Sequence, residues 1–122
     1  MPVRGVRGAI DVEIDEEAAV LRATRELLTA MLEANPDLAI EDLASVLFTT
    51  TQDLKSVAPA RAARELGWDL VPLLCFQEMN MVGQIPRVIR VLVHWNTEIP
   101  HDAINHVYLG EAAHLRPDLG ST

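Results

Sequence analysis

Apolar and polar positions along the chain alternate between two periods, and the switches between those periods predict seven elements. "VRGVRGAI" (3–10) is short and apolar, and Gly5 and Gly8 would weaken a helix, so it reads as a strand. From 15 to 36 the period becomes helical. Val20, Thr24, Leu27, Leu28, Met31 and Leu32 share one face, Asp15 is placed to cap the helix, Glu16 and Glu17 suit its first turn, and Asn35 and Pro36 end it. "IEDLASVLFTTT" (40–51) predicts a short turn and then a strand through Val46, Leu47, Phe48 and the threonines. A loop leads into a shorter helix that begins near Pro59 and stops at Gly67. "DLVPLLCFQEM" (69–79) predicts a third strand, "NMVGQIP" (80–86) a loop and "RVIRVLVHWN" (87–96) a fourth strand. "INHVYL" (104–109) predicts a short fifth strand and "GEAAHLRP" (110–117) a final helical turn. The order β-α-β-α-β-β-β, with no repeat or linker, predicts one α/β or α+β domain over 1–122, of which α+β, a mixed sheet packed by helices, is the class expected here. Its sheet edges stay open in so small a fold, and pairing them across subunits is a common solution.

The fourth strand carries the first chemical signal. Alternation puts Val88, Arg90, Leu92 and His94 on one face and Ile89, Val91, Val93 and Trp95 on the other, and both faces read as buried. An unpaired guanidinium there would cost several kcal/mol, roughly, so Arg90 asks for an anion. Arg7 lies between Gly5 and Gly8, whose missing side chains would let a ligand or another backbone approach the guanidinium closely. Glu78 follows Cys75 by three residues at the end of the third strand, and Tyr108 lies in the fifth. Arg61 and Arg64 share a face of the second helix, and Arg116 lies near the C-terminus. The plain alternatives are strand-end salt bridges for Arg7, Glu78 and Arg90, solvated surface for the other arginines, and a buried, inert thiol for Cys75. Taken together, the set describes several guanidiniums and one carboxylate around a small ligand with more than one carboxylate. Beside arginines, Glu78 suits an electrostatic role better than that of a general base.

Composition narrows the possibilities. The chain has 122 residues, is 49% apolar and has a mean hydropathy of +0.14, which argues for a packed core and, in a small protein, for some surface buried against other subunits. A net charge of −8 repels nucleic acid and anionic membranes. Cys75, the one cysteine, excludes an intrachain disulfide and a cysteine metal cluster, and His94, His101, His106 and His114 show no familiar metal spacing, so no metal is expected. With no apolar signal core and no run of about 20 apolar residues, the expected address is cytoplasmic.

"VRGVRGA", "VPLLCFQEM", "RVIRVL" and "HVYL…LRPDL" together resemble the monofunctional, trimeric class of chorismate mutase over nearly the whole chain. The Arg, Cys-x-x-Glu, Arg and Tyr elements recur in order, each in its own predicted strand. The resemblance implies a trimeric pseudo-α/β-barrel with active sites between subunits. There chorismate would become prephenate by a Claisen rearrangement, with no cofactor or metal. It implies that Arg90 contacts the breaking ether oxygen and a carboxylate, that Glu78 lies opposite the ring, and that Arg7 and Tyr108 grip the side-chain carboxylate. It implies also that Leu74, Cys75, Phe76 and Gln77 line the wall, and that Ala60, Arg61, Arg64 and Leu115 come from the neighbouring subunit's rim, with Arg116 close by. Ala58, Leu74 and Asn105 depart from the family pattern, which has an aromatic, a threonine and an arginine there.

The physical logic stands beside the resemblance. A pericyclic step moves no proton and needs no nucleophile, so its acceleration comes from holding the reactive conformer and stabilising separated charge. The rival from another class is a non-catalytic trimer that senses a carboxylate metabolite, and a third reading is an imine-hydrolysing trimer of similar shape. Glu78 discriminates, because a carboxylate receptor gains nothing from an anion beside its ligand.

Overall fold

The computed structural model describes residues 1–114 of the chain. Its elements run β1 (Val3–Asp11), α1 (Glu17–Ala34), β2 (Leu43–Thr50), α2 (Ala60–Glu65), β3 (Leu73–Gln77), β4 (Val88–Asn96) and β5 (Val107–Leu109), with 3₁₀ turns at Ile40–Asp42, His101–Ala103 and Gly110–His114. The predicted order holds. The third and fifth strands are shorter than their apolar runs, and the part of the predicted final turn beyond His114 lies outside the described residues.

The five strands form one mixed sheet in the order β3-β2-β4-β1-β5. β4 is antiparallel to both neighbours, β2 and β1, while β3 pairs parallel to β2 and β5 parallel to β1. Of the two parallel pairs, β2 and β3 are joined directly through α2, whereas α1 links β1 to β2, which lie on either side of β4. The helices lie on one face, where the apolar stripe of α1 (Val20, Leu27, Leu28, Met31) buries against Val6, Ile10, Phe48, Ile89, Val93 and Trp95. Among the described residues, none forms a layer over the centre of the opposite face. At one end of it, Ala9, Val88, Tyr108 and Ala112 make a second, small buried cluster.

Local chemistry explains the element ends. Gly67 has φ +92°, and its amide and that of Trp68 return to the carbonyls of Arg64 (3.0 Å) and Ala63 (3.0 Å), which closes α2 as a Schellman turn. Asn35, nearly fully buried, ends α1 by donating to the carbonyls of Met31 (2.9 Å) and Asn105 (2.8 Å). Asn105 in turn donates to the Ala34 carbonyl (2.8 Å), which ties the lead into β5 to the helix end.

Two readings need correction. Asp15 does not cap α1, whose N-cap position is Glu16. Instead its carboxylate accepts the amides of Lys55 (3.0 Å) and Ser56 (3.0 Å) and pins the loop before α2. Gly8 does not open a path to a ligand on its Cα side. A Cβ there would press into Met31, with Leu27 Cδ1 at 3.2 Å, so the missing side chain lets α1 close on β1.

Gly8→Ala should therefore overpack the sheet–helix contact and lower unfolding stability by about 1–3 kcal/mol, measurable by denaturant titration. Desolvation pushes the Asp15 carboxyl up, but its bonds with Ser56 and Lys55 outweigh that and hold it below its ordinary 3.8. A lowered carboxylate stabilises the fold above its unfolded value, and that contribution is lost as pH falls through the folded one. Asp15→Asn should therefore be less stable than wild type at neutral pH, with the gap narrowing at pH values below the ordinary carboxylate range.

Candidate active site

Strand alternation and pairing register bring distant residues into one line on the open face of the sheet. Across the five strands run Phe76 (β3), Thr49 (β2), Arg90 (β4), Ala9 (β1) and Tyr108 (β5), each paired in register with the next. In the adjacent row stand Leu74, Leu47, Leu92 and Arg7. A cleft of about 380 Å³ lies along these two rows, lined by Arg7, Phe76, Arg90, Leu92 and Tyr108 among others. Apolar walls with two guanidiniums suit a small anion that carries apolar carbon.

Glu78 completes the charge pattern. It follows the last residue of β3, and its amide continues the ladder by donating to the Thr50 carbonyl at 2.9 Å. Its side chain is only 12% exposed; Oε2 lies 3.2 Å from Arg90 Nε and accepts the Thr49 hydroxyl at 2.7 Å. Arg90 is itself 48% exposed, so the expectation that both faces of β4 are buried is corrected. One face meets the helices, and among the described residues the other has no second layer over Arg90. A half-exposed ion pair contributes only about 0–1 kcal/mol to stability, so the fold needs the pair little. With Nε spent on Glu78, the two Nη groups of Arg90 remain for a ligand.

The other expected site residues separate into three sets. Arg7 is exposed at the rim of the cleft, and its amide donates to His106 Nδ1 at 2.9 Å, which anchors this part of β1 to the segment before β5. Tyr108, 5% exposed, is packed by Ala9, Val88 and Ala112 and so is held at the cleft end. Leu74 shares this face and is 57% exposed.

By alternation Cys75 and Gln77 point to the other face, beside Phe48 and Thr50 in register. Cys75 is exposed rather than buried, because β3 is an edge strand with little packed over it. The third set belongs to the helix layer. Ala60 is buried at the start of α2, Arg61 pairs with Glu17 and with Glu65 (3.4 Å), and Arg64 is exposed with no ion-pair partner among the described residues. None of the three reaches the cleft of its own chain. Leu115 and Arg116 lie outside the described residues.

Sequence reasoning passed over Thr49, Leu47, Leu92 and His106. The run Thr49-Thr50-Thr51 offered a faint signal, since alternation must put at least one of three neighbouring hydroxyls on the open face. Asn105, where the family pattern has an arginine, commits its amide to the end of α1 and not to the cleft. A second groove of about 440 Å³, between α1 and β5, is lined by Asp11, Glu13, Glu26 and Glu111 around Arg22, a negative balance that repels a dianion. Among the described residues no group of three His, Cys, Asp or Glu side chains could hold a metal ion.

Comparison with known proteins places the whole chain beside one family. The family model "Chorismate mutase type I" matches residues 3–119. The chain is 57% identical over 119 residues to the chorismate mutase AroH of Thermus thermophilus, covering 98% of each. It is 45% identical over 123 residues to the chorismate mutase AroH of Bacillus subtilis, covering all of this chain and 96% of that one. Among solved structures, a chorismate mutase from Clostridium thermocellum superposes with a TM-score of 0.88 at 37% identity, covering 91% of this chain and 98% of the other.

Proposed function

The chain belongs to the type I chorismate mutase family, and we propose that its reaction runs over the open face of the sheet, between Arg90, Glu78, Arg7 and Tyr108. The activity is that of an isomerase, converting chorismate to prephenate by a Claisen rearrangement, a step of aromatic amino-acid biosynthesis. The observation that carries the site is one pair of opposite charges, Arg90 and Glu78, 3.2 Å apart beside an apolar cleft.

In this rearrangement an ether C–O bond breaks while a C–C bond forms at the other end of the rearranging system. No proton moves and no covalent intermediate forms. In the transition state negative charge gathers on the ether oxygen and positive character on the ring. An Nη group of Arg90 donates to that oxygen, and the Glu78 carboxylate faces the ring. Arg7 and Tyr108 hold the side-chain carboxylate, and the apolar walls formed by Phe76, Leu92 and Leu47 favour the compact conformer in which the reacting carbons meet. Because both charges are held before the reaction begins, they favour the transition state over the ground state, and that difference lowers the barrier. A receptor for a carboxylate metabolite has no use for Glu78 at that position.

The site is completed in a homotrimer. Leu74, Phe76, Met79, Met81 and Val82 are all exposed large apolar side chains on or near β3, which supports their burial against a second copy. Arg64, exposed and without an ion-pair partner among the described residues, is free to reach a neighbour's cleft, together with Arg61, Ala60 and Leu115. In that arrangement Cys75 and Gln77 join the wall through the backbone of β3. The protein works in the cytoplasm, in keeping with the lack, among the described residues, of any helix long and apolar enough to cross a membrane.

A direct spectrophotometric assay of chorismate loss tests the site through Arg90→Lys. The ammonium keeps the charge but cannot serve Glu78, the ether oxygen and a carboxylate together. The expected fall in kcat is roughly 10²- to 10³-fold, with a smaller change in prephenate binding. Turnover within about threefold of wild type in a folded variant would make Arg90 a structural residue. The trimer is tested by mixing Arg7→Ala and Arg64→Ala chains, each impaired alone. Unfolding and reassembly together should restore part of the activity, because some mixed interfaces then hold both wild-type arginines.

A further inference from the structure

Glu78 has three side-chain torsions, and the last of them, about the carboxylate, is broad and weakly restrained. Its ion-pair partner does little to fix it, since Arg90 is long and half exposed. What fixes the carboxylate is β2. The Thr49 hydroxyl donates to Oε2 at 2.7 Å, the same oxygen that faces Arg90 Nε at 3.2 Å, and no donor among the described residues meets Oε1. The next residue of β2, Thr50, accepts the Glu78 amide at 2.9 Å. Neighbouring residues of one strand thus hold Glu78 at both backbone and carboxylate.

Thr49 is well suited to this. It is β-branched and therefore stiff at χ1, and it stands in a strand paired on both sides, with Phe76 and Arg90 as its register partners. It also lines the cleft of Arg7 and Tyr108 and the neighbouring one, of about 500 Å³, that contains Glu78. A hydroxyl at this position has a specific task that a valine, the better strand former, could not perform.

We infer that Thr49 is a positioning residue for the rearrangement: its hydroxyl engages one carboxylate oxygen of Glu78, sets the plane of the group, and leaves Oε1 to face the positive charge that develops on the substrate. The inference rests on the site proposed above and adds the group that aims its anion.

The test is a double-mutant cycle on the full chain, with kcat and KM for chorismate and the thermal midpoint measured for each variant. Thr49→Val replaces the hydroxyl with a methyl of similar size and should fold, given the strand propensity of valine. Its kcat should fall roughly tenfold or more, on the scale of a lost charge-assisted hydrogen bond, with KM changed by less than about threefold. Thr49→Ser, which keeps the donor, should recover most of the loss. In a Glu78→Ala background, Thr49→Val should cost no more than about twofold further, because the group it positions is gone. Wild-type turnover in Thr49→Val would overturn the inference, as would an equal loss with and without Glu78, and either would leave the site reading intact. Wild-type turnover in Glu78→Ala would overturn the site reading and this inference with it.

Discussion

Everything at the site depends on how β4 is paired. With β2 and β1 antiparallel on either side of it, Arg90 stands between Thr49 and Ala9, and the same register carries the line out to Phe76 and Tyr108 on the edge strands. A slip of one residue would send Arg90 into the layer occupied by Ile89 and Val91, against the helices. That slip is opposed by the apolar face of β4, where Ile89, Val91, Val93 and Trp95 are all buried. The core thus sets the register, and the register sets the site.

The charges on the open face are arranged for a ligand more than for stability. Arg90 and Glu78 are close enough to pair, yet the arginine is half exposed and keeps donors to spare. Glu78 is the better buried partner, gripped by Thr49 and Thr50 from the neighbouring strand. A cation and an anion held side by side at an apolar cleft are what a reaction with charge separation and no proton transfer requires. The cost of holding such charges is met by the sheet core on the other face, where burial is dense and free of ions.

The open face also accounts for the chain's composition. A single copy leaves Leu74 and Phe76 on β3, and Met79, Met81 and Val82 beyond it, in water. β3 is an edge strand whose partner on one side only is β2. The proposed trimer covers these side chains and brings Arg64 from the helix layer of one copy to the cleft of another, which relates the apolar surplus to the incompleteness of the site.

The sequence by itself determined the element order and the extent of α1, and it singled out the arginines, glutamate and tyrosine of the proposed site, because helix and strand periods and the charges set among them are local properties that a short window reveals. Its resemblance to a known family extended that to the reaction. Only the tertiary structure decided which strands are neighbours, that the missing side chain of Gly8 makes room for α1, that Asp15 pins a loop instead of capping a helix, and that Cys75 points away from the cleft of its own chain. It also brought Thr49 to Glu78, 29 positions along the chain. These depend on pairing between segments far apart in sequence, and no local period encodes the partner of a strand: the β3–β2 contact that aims Glu78 arises only when the sheet is assembled.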